Sequence, residues 1–265
     1  MAYVCQFCSK TYTLKNSLDQ HIRRKHFKDL REIPCSSSGK ITSREEFDIV
    51  NVPEHMLPPV PRGHFLPWKH PFTCMIAGPT GSGKTTFVKR FIDNIQQMMT
   101  PIPDKILWCY GEYQTIYGFI DKVEFHEGLP DLMELDTSVN NLIVIDDLMS
   151  EVNSDVTSLF TKKSHHFNIS VMYIVQNLFC QSKKHRDISL NTHYIVLMKN
   201  PRDSSQVRCL SQQMFPGKTL LMEAYKDATL HPHGYLLVDL KQNTPSDLRL
   251  RTCVFPGEYQ FVYVP

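Results

Sequence analysis

Eight consecutive residues, Gly78-Pro-Thr-Gly-Ser-Gly-Lys-Thr85, place three glycines, a lysine and a hydroxyl where a polyphosphate could be held. A chain of phosphates carries several negative charges, and binding it needs backbone amides that approach without intervening side chains. Gly78, Gly81 and Gly83 allow the loop to curl, with Pro79, Thr80 and Ser82 between them. The amides of the helix that follows face the β-phosphate, Lys84 reaches the β- and γ-oxygens, and the Thr85 hydroxyl takes Mg²⁺, with Thr86 next in line. The spacing predicts binding of ATP or a similar nucleoside triphosphate.

Cleavage needs an acidic strand end, and Asn141-Leu-Ile-Val-Ile-Asp-Asp147 supplies one. Four apolar residues run into two carboxylates. Asp146 is expected to hold Mg²⁺ through its water shell, and Asp147 to polarise the attacking water as general base. Glu is more usual at the second position, so the shorter Asp147 has less reach. Gln176, at the end of another apolar run, is a candidate to sense the γ-phosphate, with Asn177 as its neighbouring candidate and a structural turn role for either as the alternative.

A second constellation opens the chain. Cys5, Cys8, His21 and His26 follow Cys-x2-Cys-x12-His-x4-His, two soft sulfur ligands and two imidazoles at the spacing of a tetrahedral Zn²⁺ site. Tyr3, Tyr12 and Leu18 take the framework positions, and so few residues need the ion to fold. The stretch resembles the Cys2His2 zinc finger. In that family's pattern the base-reading positions fall on Leu14, Ser17 and Gln20, and a single finger spans about 3 base pairs. Arg23, Arg24, Lys25 and Lys28 are the candidates for gripping DNA phosphates; a protein-docking finger is the alternative. The other six of the eight cysteines lie singly and read as core or bystander thiols, reduced because no secretory leader is recognisable.

These groups must be carried by elements. Phe72 to Ala77 is a short apolar run of the kind that makes a buried parallel strand, and a helix from Lys84 to about Met99 gives the loop its strand-loop-helix setting. Lys105–Tyr110, Ser170–Gln176 and His193–Met198 join the strands ending at Ala77 and Asp147, making five. Gly234–Asp239 and Thr252–Val264 read as further strands. Phe65, Trp68 and His70 precede the first core strand, where packing or stacking on adenine are both open. The prolines between 58 and 71 and the run Cys35-Ser-Ser-Ser-Gly39 mark a linker. The predicted organisation is a zinc finger over 1–28, a linker over 29–55 and an α/β P-loop NTPase domain over 56–265, with a parallel sheet flanked by helices. With 42% hydrophobic and 21% charged residues and no long apolar run, no membrane span is expected. Residues 1–40 hold eight Lys and Arg against three Asp and Glu, so a +5 head sits on a chain of net charge +2. That asymmetry suits a polyanionic partner.

From Met56 to about Pro216 the motif set resembles the FtsK/HerA-type DNA translocases, and within them the genome-packaging ATPases of large double-stranded DNA viruses. The resemblance rests on Leu57-Pro-Pro-Val-Pro-Arg62, the loop at 78–85, Phe125-His-Glu-Gly-Leu-Pro130, Leu142-Ile-Val-Ile-Asp-Asp-Leu-Met149, Val175-Gln176-Asn177, and Arg186-Asp-Ile-Ser-Leu-Asn191 leading to Lys199-Asn-Pro-Arg-Asp203. It is similar to the packaging ATPases of Polinton and adintovirus-type elements, and more distantly to those of poxviruses. The resemblance implies an additional-strand sheet, with the strand ending at Gln176 between the two acidic and glycine motifs. It also implies a pentameric or hexameric ring that threads duplex DNA into a capsid, capsid proteins as further partners, and a place in the virion or the host nucleus or cytoplasm rather than secretion. In such rings an arginine completes the neighbour's site; Arg202 is the first candidate here, then Arg186 and Arg208. The helix-like stretch from Val152 to His166, with Lys162 and Lys163, is a candidate DNA contact. About 65 residues follow the fifth strand, too few for the nuclease domain of tailed-phage motors.

The competing reading is a nucleotide-gated, zinc-finger DNA-binding regulator from a domesticated element. A nucleoside kinase lacks a recognisable lid.

Overall fold

The computed structural model describes residues 3–4, 11–12 and 66–264, leaving out 132–134, 147, 149–153, 165–166, 180–182 and 259. The chain divides into two units, Met1–His64 and Phe65–Pro265. In the first, β1 (Tyr3–Val4) pairs antiparallel with β2 (Thr11–Tyr12), Tyr3 opposite Tyr12. Cys5, Cys8, His21 and His26, and the basic Arg23, Arg24, Lys25 and Lys28, lie outside the described residues.

The second unit is built on one nine-stranded sheet. Its first strand in chain order is β4 (Thr73–Ala77), preceded by the short β3 (Trp68–Lys69), which pairs with β5 (Met99–Thr100) in a separate two-stranded sheet. β6 (Lys105–Tyr110), β7 (Glu124–Glu127), β8 (Asn141–Asp146), β9 (Ile169–Val175) and β10 (Tyr194–Met198) follow. The spatial order β10-β4-β9-β8-β6-β7 is parallel throughout. β11 (Tyr235–Asp239), β12 (Leu250–Thr252) and β13 (Phe261–Val262) then extend it antiparallel beyond β10. Every residue of β4, β8, β9 and β10 is buried. That is why these strands read as unbroken apolar runs: a parallel strand covered on both faces has no solvent side to make polar.

All five expected core strands are present, and β9 lies between β4 and β8, with Ala77 opposite Val175 and Asp146 opposite Ile174. The sheet is mixed rather than purely parallel because β11 runs back against β10, and β12 and β13 follow it antiparallel in turn. An ion pair anchors that extension. Asp239 accepts from the Arg251 guanidinium at 2.7 Å, and both side chains are almost fully buried.

The helix after the loop is shorter than its sequence suggests. α1 runs Lys84–Asp93 and buries Phe87, Val88, Phe91 and Ile92; α2 (Ile95–Met98) completes the stretch. The break is at Asn94, whose side-chain amide donates to the Arg90 carbonyl at 2.9 Å and competes with the helical ladder. Further on, α3 (Ser154–Ser158) passes into a π-helical turn (Leu159–Lys163), and α4 (Lys183–Leu190) precedes β10. α5 (Ser205–Met214) and α6 (Leu220–Ala228) link β10 to β11. Trp68 is core: only 1% exposed, it stacks on Tyr194 at 4.3 Å and meets Phe72 and Phe91. His70 shares a 2.6 Å hydrogen bond with Ser170. Phe65 lies outside the described residues. Among the described residues no helix is long and apolar enough to cross a membrane.

Candidate functional site

The glycine loop joins the carboxyl end of β4 to the first turn of α1. Gly78 donates to the Val175 carbonyl at the end of β9, at 3.2 Å. A Cβ at Gly78 would lie 2.6 Å from Met198 Cβ and 2.8 Å from Ser82 Oγ, closer than side chains pack, so only glycine fits. Gly83 adopts φ 97°, the left-handed region that glycine enters without strain, and from there the chain turns into α1. Lys84 folds back across the loop, its Nζ donating to the carbonyls of Gly78 at 2.7 Å and Pro79 at 2.9 Å. The amides at the start of a helix are natural donors to an anion.

Asp146 ends β8 at 2% exposure. Its Oδ2 accepts from the Thr85 hydroxyl at 3.4 Å and from the Tyr117 hydroxyl at 2.9 Å. Tyr117 belongs to a 3-10 turn, Thr115–Phe119, between β6 and β7. It packs among Trp108, Tyr110, Tyr113 and Phe125. A hydroxyl and a carboxylate side by side are hard oxygen ligands, which suits Mg²⁺.

Part of the loop and Asp146 border one cleft of about 680 Å³. Thr80, Gly81, Gly83, Lys84, Thr85 and Thr86 form its loop side, with Asp146 and Gln176 beyond them; Gly78, Pro79 and Ser82 do not line it. Gln114, Thr115 and Ile116 form a second wall. A third comes from the sheet extension and the turn before it: His233, Tyr235 and Phe255 face Phe87 and Arg90 of α1. His233 sits at φ 59°, with Nδ1 3.3 Å from the Ser82 carbonyl. Burial pushes the Tyr235 phenol well above its ordinary range, so it stays protonated, and its oxygen accepts the Val254 amide at 2.9 Å. Arg90 lies 4.2 Å from the Phe255 ring centre and pairs with Glu258 at 2.6 Å.

Of the residues singled out in the sequence, the sheet order brings the loop, Asp146 and Gln176 together. Asn177 instead closes a turn, accepting from Gln206 at 3.1 Å while Gln206 accepts the Leu178 and Phe179 amides. Asp147 lies outside the described residues, as do the side chains of Lys162 and Lys163. Arg202, Arg186 and Arg208 are all exposed and none lines the cleft. The Arg202 turn is well formed: its amide and that of Asp203 both donate to Asn200 Oδ1, and Ser205 holds the Asp203 carboxyl below its usual range. Tyr117, His233, Arg90, Tyr235 and Phe255 carried no signal beyond their place in or beside apolar segments. Cys74 and Cys109 are buried thiols, the latter pushed up to about 12 by burial. Among the described residues no group of three or more His, Cys, Asp or Glu could hold a metal by itself. Thr85 and Asp146 would need phosphate oxygens and water to complete a coordination shell.

No protein-family model matches the chain, and no curated protein matches it in sequence. Among solved structures it is similar to the genome packaging NTPase B204 of Sulfolobus turreted icosahedral virus 2. For the complex with ATP-gammaS the identity is 13% and the TM-score 0.43, covering 73% of this chain and 97% of that one. For the sulfate complex the values are 12%, 0.45, 74% and 96%. It is also similar to the N-terminal domain of zonular occludens toxin from Neisseria meningitidis, at 12% identity and TM-score 0.34, over 74% of this chain and 94% of that one.

Proposed function

We propose that the chain is a Mg²⁺-dependent ATPase whose turnover drives duplex DNA, as the packaging motor of a viral or virus-like element working as an oligomeric ring. The observation that carries the enzymatic half is the meeting of Lys84, Thr85, Asp146 and Gln176 around one cleft at the carboxyl ends of three adjacent strands. Lys84 would exchange its loop carbonyls for the β- and γ-oxygens. Thr85 and Asp146 would hold Mg²⁺, which when bound neutralises phosphate charge. Gln176 would report on the γ-phosphate, and Asp147 would orient the attacking water. The motif resemblance supports the DNA half, together with the exposed Arg202 turn at the same end of the sheet as the glycine loop, from which Arg202 would serve a neighbouring subunit. The zinc finger at 1–28, the linker at 29–55 and the catalytic domain at 56–265 belong to the same proposal, with Zn²⁺ on Cys5, Cys8, His21 and His26.

The deciding experiment compares ATP turnover of the wild type and Lys84→Ala, with and without duplex DNA. Duplex DNA should stimulate the wild type, and the variant should lose about 10²–10³-fold in turnover, the usual loss when one donor to developing charge is removed. Assembled protein that DNA does not stimulate would instead favour the nucleotide-gated regulator, which the +5 N-terminal segment also suits. In that case Cys5→Ala should abolish DNA binding and leave slow turnover unchanged.

A further inference from the structure

The far end of the cleft is built as firmly as the phosphate end. Arg90 lies seven residues past Gly83 on α1, which at the helical rise places it about 10 Å along the axis from the loop. Thr86 and Arg90, one turn apart, share the helix face that borders the cleft. The guanidinium carbon lies 4.2 Å from the Phe255 ring centre, and Nη1 contacts Glu258 at 2.6 Å. Glu258 also accepts the Phe255 amide at 3.3 Å, so one carboxylate fixes both the turn and the arginine. Phe255 is itself held by Phe87 and Tyr235, at centroid distances of 5.0 and 6.1 Å. The phenyl ring is only 2% exposed, whereas the Arg90 side chain remains 43% exposed beside the cleft. The ring thus takes one side of the guanidinium and Glu258 takes Nη1, while the remainder is partly exposed.

We infer that Arg90, braced by Phe255 and Glu258, is the seat on which the base of the nucleoside triphosphate stacks. The inference rests on the nucleotide reading of the glycine loop and adds its second anchor. A guanidinium is planar and weakly hydrated, so it presents a flat face to a heterocycle, as arginine does against nucleic-acid bases. Immobilised in advance, it loses little freedom when the base arrives. The alternative is a purely structural ion pair tying α1 to the C-terminal turn.

Calorimetric titration of the full chain with ATP and with inorganic tripolyphosphate, both with Mg²⁺, separates the two. Arg90→Ala should weaken ATP by about tenfold, the scale of one lost base stack, while tripolyphosphate changes less than about twofold. Arg90→Lys should resemble Ala, because an ammonium keeps the charge and loses the plane. Glu258→Gln, which keeps the fold's side-chain volume and loosens the brace, should weaken ATP alone by a smaller factor. ATP affinity unchanged in Arg90→Ala, retained in Arg90→Lys, or lost in parallel with tripolyphosphate overturns the base seat. Lys84→Ala is the separate control and should weaken both ligands. If it weakens both while the Arg90 variants show no selective loss, only the base seat falls. If it weakens neither, the phosphate reading fails and the base seat goes with it.

Discussion

Tyr117 and Thr85 give their hydroxyl protons to the same oxygen of Asp146. The tyrosine does not line the cleft, so in the proposed function it would act by aiming the carboxylate that holds Mg²⁺ rather than by touching a ligand. Partners of this kind typically govern metal affinity by about 10–100-fold. Tyr117→Phe should therefore raise the Mg²⁺ concentration needed for half-maximal turnover by about tenfold, with the aromatic packing intact; a Mg²⁺ titration of ATPase rate reads this directly. Gly78→Ala is a second residue-scale prediction. Its methyl would meet Met198 Cβ at 2.6 Å, and the loop must move away from β10. Both turnover and thermal stability should fall, the latter by about 1–3 kcal/mol as for other overpacked sites. At this scale the glycine loop was legible because its chemistry forces residue types at fixed offsets. Tyr117 was not, because any residue with a hydroxyl at the right point in space would serve, and sequence spacing does not encode that point.

The sheet extension depends on one buried acid. Asp239 takes the Arg251 guanidinium on one oxygen and the Lys241 amide and Thr244 hydroxyl on the other. Removing one partner of such a pair leaves a charge stranded in the interior, a loss of about 3–5 kcal/mol. Asp239→Ala should show that loss in denaturant unfolding, and replacing both residues by apolar ones should recover much of it. A pH effect belongs to the segment between β3 and β4. Burial, with the nearby Lys241 charge, lowers the His70 pKa below 6.5. The folded state thus favours the neutral ring; its stabilising contribution is present above pH 6.5 and drains away as pH falls toward the lowered value. His70→Asn should flatten that part of the stability profile. Elements with continuous apolar runs were readable in the sequence. β7 was not, since Glu-Phe-His-Glu at a sheet edge is largely exposed and carries no burial pattern. Nor was the break at Asn94, where a side chain and not the periodicity ends the helix.

For the whole molecule, the uneven charge sets how the proposed motor would meet DNA. Eight basic residues among the first forty imply binding that weakens steeply with salt. Replacing Arg23 or Lys25 by Ala should each reduce the slope of log affinity against log salt by about one, without altering sequence preference. The strand order was legible once the two motifs and the run between them were seen, because a βαβ sheet admits few arrangements. The antiparallel extension was read only as extra strands, and its share of the cleft could not be foreseen, because Tyr235 and Phe255 lie about 150 and 170 residues beyond the loop they face. The close approach of Gly78 to Met198 has a mechanical corollary. The Met198 carbonyl accepts the Tyr225 hydroxyl, that hydroxyl's oxygen accepts the Asn200 amide, and the Asn200 side chain holds the Arg202 turn. Three hydrogen bonds and one close steric approach thus run without a break from the Arg202 turn to the glycine loop.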